Sequence, residues 1–271
     1  MSDTRQQRIR VAIAGAKGRM GREFVKTVLG TEDLELAGAI DRTLSGVDVG
    51  EVIGIGATGT SFTTDLERLI AEQSPDVLVD LTTPQVVKEH AELAIRYGTR
   101  PVIGTTGITL DDVKTWDRAC RQREIGGLIA PNFAIGAILM MQFAKQAAKY
   151  LPHVEIIEMH HDKKLDAPSG TAQKTAEMIA EVRESFRQGH PDEEERLRGA
   201  RGAELDGIRI HSVRLPGYVA HQEVLFGSTG QALSIRHDSF SRESFMPGIV
   251  LACRKVMTYT GMVYGLENLL Q

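Results

Sequence analysis

From residue 9 onward, short apolar runs rich in β-branched residues alternate with longer segments whose apolar positions recur at helical spacing. That alternation is the form taken by repeated βαβ units, in which strands are buried on both faces and each crossover helix buries one. It predicts strands at 9–14, 34–40, 77–81, 101–104 and 127–130, with helices between them at 20–29, 65–72, 84–97 and 110–122. The first half of the chain should therefore build a parallel sheet with helices on both faces.

After Pro131 the texture changes. A long helical run at 135–150 leads to a strand over VEIIEMH, a polar loop HDKKLDAPSG, and a helix predicted over 171–186. The segment 189–207 is dense in charge and glycine, too polar for core, and reads as a surface excursion. Three alternating runs at 208–215, 221–226 and 231–237 have the pattern of antiparallel strands with one solvated face, and 242–259 is helical again.

Composition narrows the function classes. With 42% hydrophobic and 25% charged residues in 271, the chain is an ordinary folded protein, and a net charge of −4 gives no bulk attraction to nucleic acid or an anionic membrane. An anionic small molecule would need a local basic cluster. Cys120 and Cys253 are the only cysteines, far apart in helical segments, which excludes a disulfide framework and a four-ligand zinc site and suits a reducing compartment. The start MSDTRQQRIR lacks the apolar stretch of a signal peptide, and no apolar run approaches the roughly 18 residues of a membrane span, so a cytoplasmic location is expected.

The strongest local motif is VAIAGAKGRMGREF, where Gly15, Gly18 and Gly21 follow a strand and open a helix. Glycines there let the backbone turn tightly and bring helix N-terminal amides to a pyrophosphate. Asp41 closes the second strand twenty residues after Gly21, where a carboxylate accepts hydrogen bonds from a ribose and favours NAD. Arg42 and Lys17 argue the other way, since either cation could neutralise a 2'-phosphate; NADH and NADPH both stay open. The turns GTTG, starting at Gly104, and APNF, starting at Ala130, follow strands of the same sheet and should border the nicotinamide.

The segment EMHHDKKLDAPSGTA, from Glu158, packs two histidines, two lysines and an anion-binding turn into fifteen residues. Gly170 and Thr171 at a helix start can hold a carboxylate, while Lys164 and either histidine can supply protons or counter-charge. Zinc is not expected, because adjacent histidines on a strand point opposite ways and no third ligand has suitable spacing. The competing readings are another Rossmann-type amino-acid dehydrogenase and a non-catalytic NAD(P)-sensing protein; neither needs such a cluster.

GAKGRMG, GTTG, APNF and EMHHDKKLDAPSGTA, in this order, resemble the signatures of the dihydrodipicolinate reductase family, whose members reduce 4-hydroxy-tetrahydrodipicolinate in lysine biosynthesis through diaminopimelate, and the likeness runs from Val11 to about Tyr264. The resemblance implies an α/β fold: a Rossmann-like nucleotide-binding domain from 1–130 and 241–271, and a second α/β domain with a mixed sheet, 131–240, that binds a small dicarboxylate and builds a homotetramer. It implies His160 as general acid/base and Lys164 as proton donor, with His161, Gly170 and Thr171 on the substrate's carboxylates. It places the cofactor on Gly15, Ala16, Lys17, Gly18, Arg19, Met20, Asp41, Arg42, Gly104, Thr105, Thr106, Ala130, Pro131, Asn132 and Phe133, and involves no metal. Two departures, Asp41 where many members carry glutamate and Lys17 where some carry glycine, touch only the ribose end. Because the glycine turn and the HHDKK loop fall in different domains, closure about hinges near Pro131 and Ser239 is expected.

Overall fold

The computed structural model describes residues 8–105 and 107–270; the polar start 1–7, Thr106 and Gln271 lie outside the described residues. The chain forms two compact units, one taking the residues up to Phe133 and again from Phe245, the other spanning Ala134–Ser244.

The first unit opens with β1 (Ile9–Ala14), α1 (Arg19–Leu29), β2 (Leu34–Ile40), a short α2 (Val49–Ile53) and β3 (Phe62–Thr63). It continues through α3 (Leu66–Gln73), β4 (Val77–Asp80), α4 (Val87–Tyr97), β5 (Arg100–Ile103), α5 (Leu110–Gln122) and β6 (Gly126–Ile129). The second unit runs α6 (Ile135–Ala148), β7 (His153–His160), α7 (Gly170–Ala180), β8 (Ala203–Leu205), β9 (Ile208–Arg214), β10 (Ala220–Ser228) and β11 (Gln231–Ser239). A 3-10 turn at Arg242–Phe245 leads back into the first unit through α8 (Met246–Lys255) and β12 (Gly261–Tyr264).

The first unit's sheet has the order β12-β6-β5-β4-β1-β2-β3, with every pairing parallel. Its central strands are apolar throughout, as burial on both faces requires: Val11 to Ala14 and Val77 to Val79 are at most 1% exposed. Strand order reverses between β4 and β1, which opens a crevice at their carboxyl ends. Helix α5 shows how local chemistry sets a boundary. Thr109 Oγ1 accepts from Asp112 N–H while the Asp112 carboxyl accepts from Thr109 N–H, a reciprocal cap, and Trp116 on its inner face is 2% exposed.

The second unit's sheet has the order β11-β10-β7-β9-β8 and is mixed, as the resemblance implied. One detail corrects the reading from alternation: β10 is antiparallel to β7 and β11, but β9 runs parallel to β7. The reason is connectivity, since α7 carries the chain back across the sheet between β7 and β9. Alternating polarity reports which face is solvated and is silent on strand direction.

Other differences are local. The helix expected over 171–186 ends at Ala180, because the buried Arg183 guanidinium donates to the carbonyls of Phe186, Asp206 and Gly207 and holds the chain in a turn. The last residues of the polar excursion form β8, which pairs with β9 through Asp206 and Gly207, both at positive φ, the geometry of a tight hairpin turn. The helix expected over 242–259 gives way to α8, and the four residues of β12 add an edge strand beside β6 that is too short to show a period.

Candidate active site

The cofactor residues expected from sequence gather in the first unit at the carboxyl ends of β1, β2, β5 and β6. Gly15 has φ +80°, and a Cβ there would lie 2.8 Å from the Leu81 carbonyl oxygen; one on Gly21 would lie 2.2 Å from the Gly15 carbonyl oxygen. Both positions demand glycine. Gly18 caps α1, whose first turn carries no acidic residue, so the helix start suits an anion. Ala16 is buried beneath the turn, Met20 is half-buried, and Gly18 and Arg19 are exposed. This cradle fits the diphosphate of a dinucleotide.

At the end expected to take the ribose, the structure joins the two residues that pulled in opposite directions. Lys17 Nζ donates to Thr43 Oγ1 at 3.1 Å, and Thr43 Oγ1 and N–H donate to Asp41 Oδ1 at 2.7 and 2.9 Å. Arg42 beside them is exposed. The GTTG and APNF turns also meet: a Cβ on Gly104 would sit 2.8 Å from the Phe133 ring, and Ala130 N–H donates to Ile103 O at 2.8 Å. Thr105 and Phe133 are buried, Asn132 is half-buried and Pro131 exposed, whereas the expectation at Thr106 falls outside the described residues.

In the second unit the organising residue is Glu158, fully buried on β7 two positions before His160 and so on the same face. Its carboxyl accepts from His160 Nδ1 at 2.5 Å, from Arg214 at 2.7 and 2.8 Å in a two-pronged contact, and from Ser169 N–H at 3.2 Å. Burial pushes this carboxyl up, but the hydrogen bonds from His160, Arg214 and Ser212 outweigh it and hold Glu158 at about 2. Arg214 also donates to the Asp166 carbonyl at 2.8 Å, and Lys164 Nζ donates to both Asp166 carboxyl oxygens at 2.8 and 2.9 Å, which keeps that carboxyl below its usual range. His160 and Lys164 are thus tied into one continuous network through Glu158, Arg214 and Asp166.

Ser169 caps α7 by accepting from Ala172 N–H at 3.2 Å, which sets Gly170 and the half-buried Thr171 on its first turn. A Cβ at Gly170 would meet nothing within 4 Å, so open space lies over the helix start. His161 follows the strand, half-buried, and its carbonyl accepts from Lys164 N–H at 3.2 Å. Among the described residues no group of three His, Cys, Asp or Glu side chains could hold a metal ion.

Arg214 escaped the sequence reading, and Glu158 was seen only as part of its motif. A carboxyl two residues from a histidine, in register with the apolar positions Val154 and Ile156 of its strand, was the available signal for Glu158. Arg214 left none, because its partner stands 56 positions away.

The glycine turn, the carboxyl closing β2 and the parallel sheet are those of a Rossmann-type dinucleotide-binding domain. Residues 9–133 match the family model "Dihydrodipicolinate reductase, N-terminus" and residues 136–270 match "Dihydrodipicolinate reductase, C-terminus". The chain belongs to the dihydrodipicolinate reductase family. It is 60% identical over 263 residues to the 4-hydroxy-tetrahydrodipicolinate reductase of Geobacillus kaustophilus, covering 97% of this chain and 99% of that one. It is 54% identical over 262 residues to the enzyme of the same name from Bacillus subtilis, covering 97% and 98%. The solved dipicolinate-bound dihydrodipicolinate reductase from Paenisporosarcina sp. TG-14 superposes with a TM-score of 0.88 at 52% identity, over 97% of this chain and all of that one. An amine dehydrogenase from Mycobacterium smegmatis, at 14% identity and a TM-score of 0.70 over 97% of this chain and 96% of that one, shares the fold. No helix among the described residues is long and apolar enough to cross a membrane.

Proposed function

We propose that this chain reduces 4-hydroxy-tetrahydrodipicolinate, through its dehydrated cyclic imine, to tetrahydrodipicolinate, with His160 and Lys164 as its catalytic residues. The observation that carries the reading is the network through Glu158, Arg214 and Asp166 that joins those two groups beside an anion-binding helix start. The first unit holds the dinucleotide on Gly15 to Met20, Asp41, Arg42, Gly104 to Thr106 and Ala130 to Phe133. The bound nicotinamide supplies hydride. Lys164, with His160, delivers the proton that quenches charge left on the reduced ring, and their cationic forms stabilise that charge as it develops. His161, Gly170 and Thr171 hold the two carboxylates and so fix which face of the ring is presented. A cytoplasmic homotetramer belongs to the same reading and is supported by family membership.

An oxidation assay with freshly generated substrate and each cofactor in turn tests the reaction, and no turnover with either would end the proposal. The same assay addresses the ribose end. Lys17→Ala should lower kcat/KM for NADPH about tenfold while leaving NADH within about twofold, because only the 2'-phosphate needs the ammonium.

The glycine turn and the HHDKK loop stand on different units, and the chain passes between the units after Phe133 and after Ser244. Reaction requires the two to close on the ligands and expel water. Small-angle scattering should therefore show a smaller radius of gyration with NADH and pyridine-2,6-dicarboxylate present together than with neither; an unchanged profile contradicts closure.

A further inference from the structure

One acidic residue of the first unit has no part in the scheme above, yet it is 2% exposed and sits where strand order reverses. Asp80 ends β4, whose three preceding residues, Val77, Leu78 and Val79, are all apolar and at most 1% exposed. A carboxyl group there is costly unless donors surround it, and an apolar residue would serve the sheet as well. Donors do surround it. Thr82 N–H and Oγ1 reach Oδ1 at 2.9 and 2.5 Å, Thr105 Oγ1 reaches the same oxygen at 3.2 Å, and His90 Nδ1 lies 2.7 Å from Oδ2.

These partners come from three elements. Thr82 belongs to the turn after β4, Thr105 to the turn after β5, and His90 to α4. Both turns rim the crevice, and the main chain repeats the link, Gly104 N–H donating to the Asp80 carbonyl at 2.9 Å. The turn after β4 also lies against the glycine cradle: Leu81 N–H donates to Ala14 O at 3.0 Å, and a Cβ on Gly15 would meet the Leu81 carbonyl and, at 3.3 Å, Thr82 Cγ2. One buried carboxyl group therefore ties the Thr82 turn, which lies against the Gly15 cradle, to the Thr105 turn. His90 occupies the second oxygen.

We propose that Asp80 is the positioning residue of the cofactor crevice, holding the Thr82 and Thr105 turns at the spacing a nicotinamide dinucleotide needs, with His90 locking its orientation. The proposal rests on the reading that the first unit binds NADH or NADPH. Turns at strand ends are the mobile parts of a sheet, and crossing their hydrogen bonds on a rigid strand end removes that freedom before the ligand arrives.

The test measures NADH binding by fluorescence for the full-length protein and for Asp80→Asn, Thr82→Val and their double variant. Asp80→Asn should raise the dissociation constant about tenfold, because the amide removes the charge that strengthens these hydrogen bonds and places an N–H donor on one side of a carboxyl whose two oxygens both accept. The loss should fall on KM for NADH rather than on kcat, and amide exchange should quicken at residues 81–83 and 104–105. The double variant should lose less than the sum of the two single losses, because both substitutions act on the Thr82–Asp80 link. Unchanged NADH affinity in Asp80→Asn, or effects that add in the double variant, overturns the proposal. Should Asp80→Asn not fold, His90→Gln serves in its place with about a threefold weakening expected and unchanged affinity again decisive. A wild-type protein that binds no NADH would instead sink the functional reading.

Discussion

Lys164→Ala is expected to lower kcat by roughly two to four orders of magnitude, and His160→Ala by a comparable factor, while each leaves the NADH dissociation constant within about twofold. The expectation follows from where the groups stand. Lys164 is on the loop between β7 and α7, its side chain 21% exposed and paired with Asp166, and His160 ends β7 against Glu158. Both belong to the second unit, whereas the glycine cradle belongs to the first, so under the proposed roles their loss removes proton delivery and leaves the cradle untouched. Stopped-flow turnover and fluorescence titration on the same preparations decide the matter. Equal losses in both quantities would count against the role given to either residue.

The second large effect is on stability. Arg214→Ala should cost about 3–5 kcal/mol in urea unfolding, the usual penalty for stripping one partner from a buried charge pair. Glu158 is fully buried, and Arg214 supplies both the two-pronged contact to it and the tie to the Asp166 carbonyl. The pH dependence has a definite sign. Glu158 sits at about 2 in the fold against an ordinary value of 4.5, so its contribution is complete above 4.5 and fades as pH falls toward 2. Arg214→Ala weakens that depression, and the stability gap between wild type and variant should narrow across this window. A double variant Glu158→Gln with Arg214→Ala should recover part of the loss, because no buried charge is then left alone. A penalty under about 1 kcal/mol at neutral pH would show that His160 and Ser169 suffice to hold the carboxyl.

Much of the fold was legible because the signals are local. β1 and β2 occupy the residues that their apolar runs predicted, and α5 runs from Leu110 to Gln122 as its periodicity predicted. Short or context-dependent pieces were not. α2 and β3 lie in a glycine-rich stretch, and Asp48 creates the helix by accepting from Gly50 and Glu51 N–H. The stop of α7 at Ala180 depends on Arg183, whose guanidinium reaches the carbonyls of Asp206 and Gly207 more than twenty positions on as well as that of Phe186.

The amino-acid sequence by itself determined the α/β class, the glycine turn after β1 and the cluster around His160 and Lys164, because each depends on residues near one another along the chain. The tertiary structure alone decided that β9 runs parallel to β7, that Lys17 and Asp41 share Thr43, and that Arg214 clamps Glu158. It alone showed Asp80 gathering Thr82, His90 and Thr105 at the crevice. Periodicity measures which face of an element is buried, whereas a hydrogen bond between distant residues exists only once the sheets have brought their ends together.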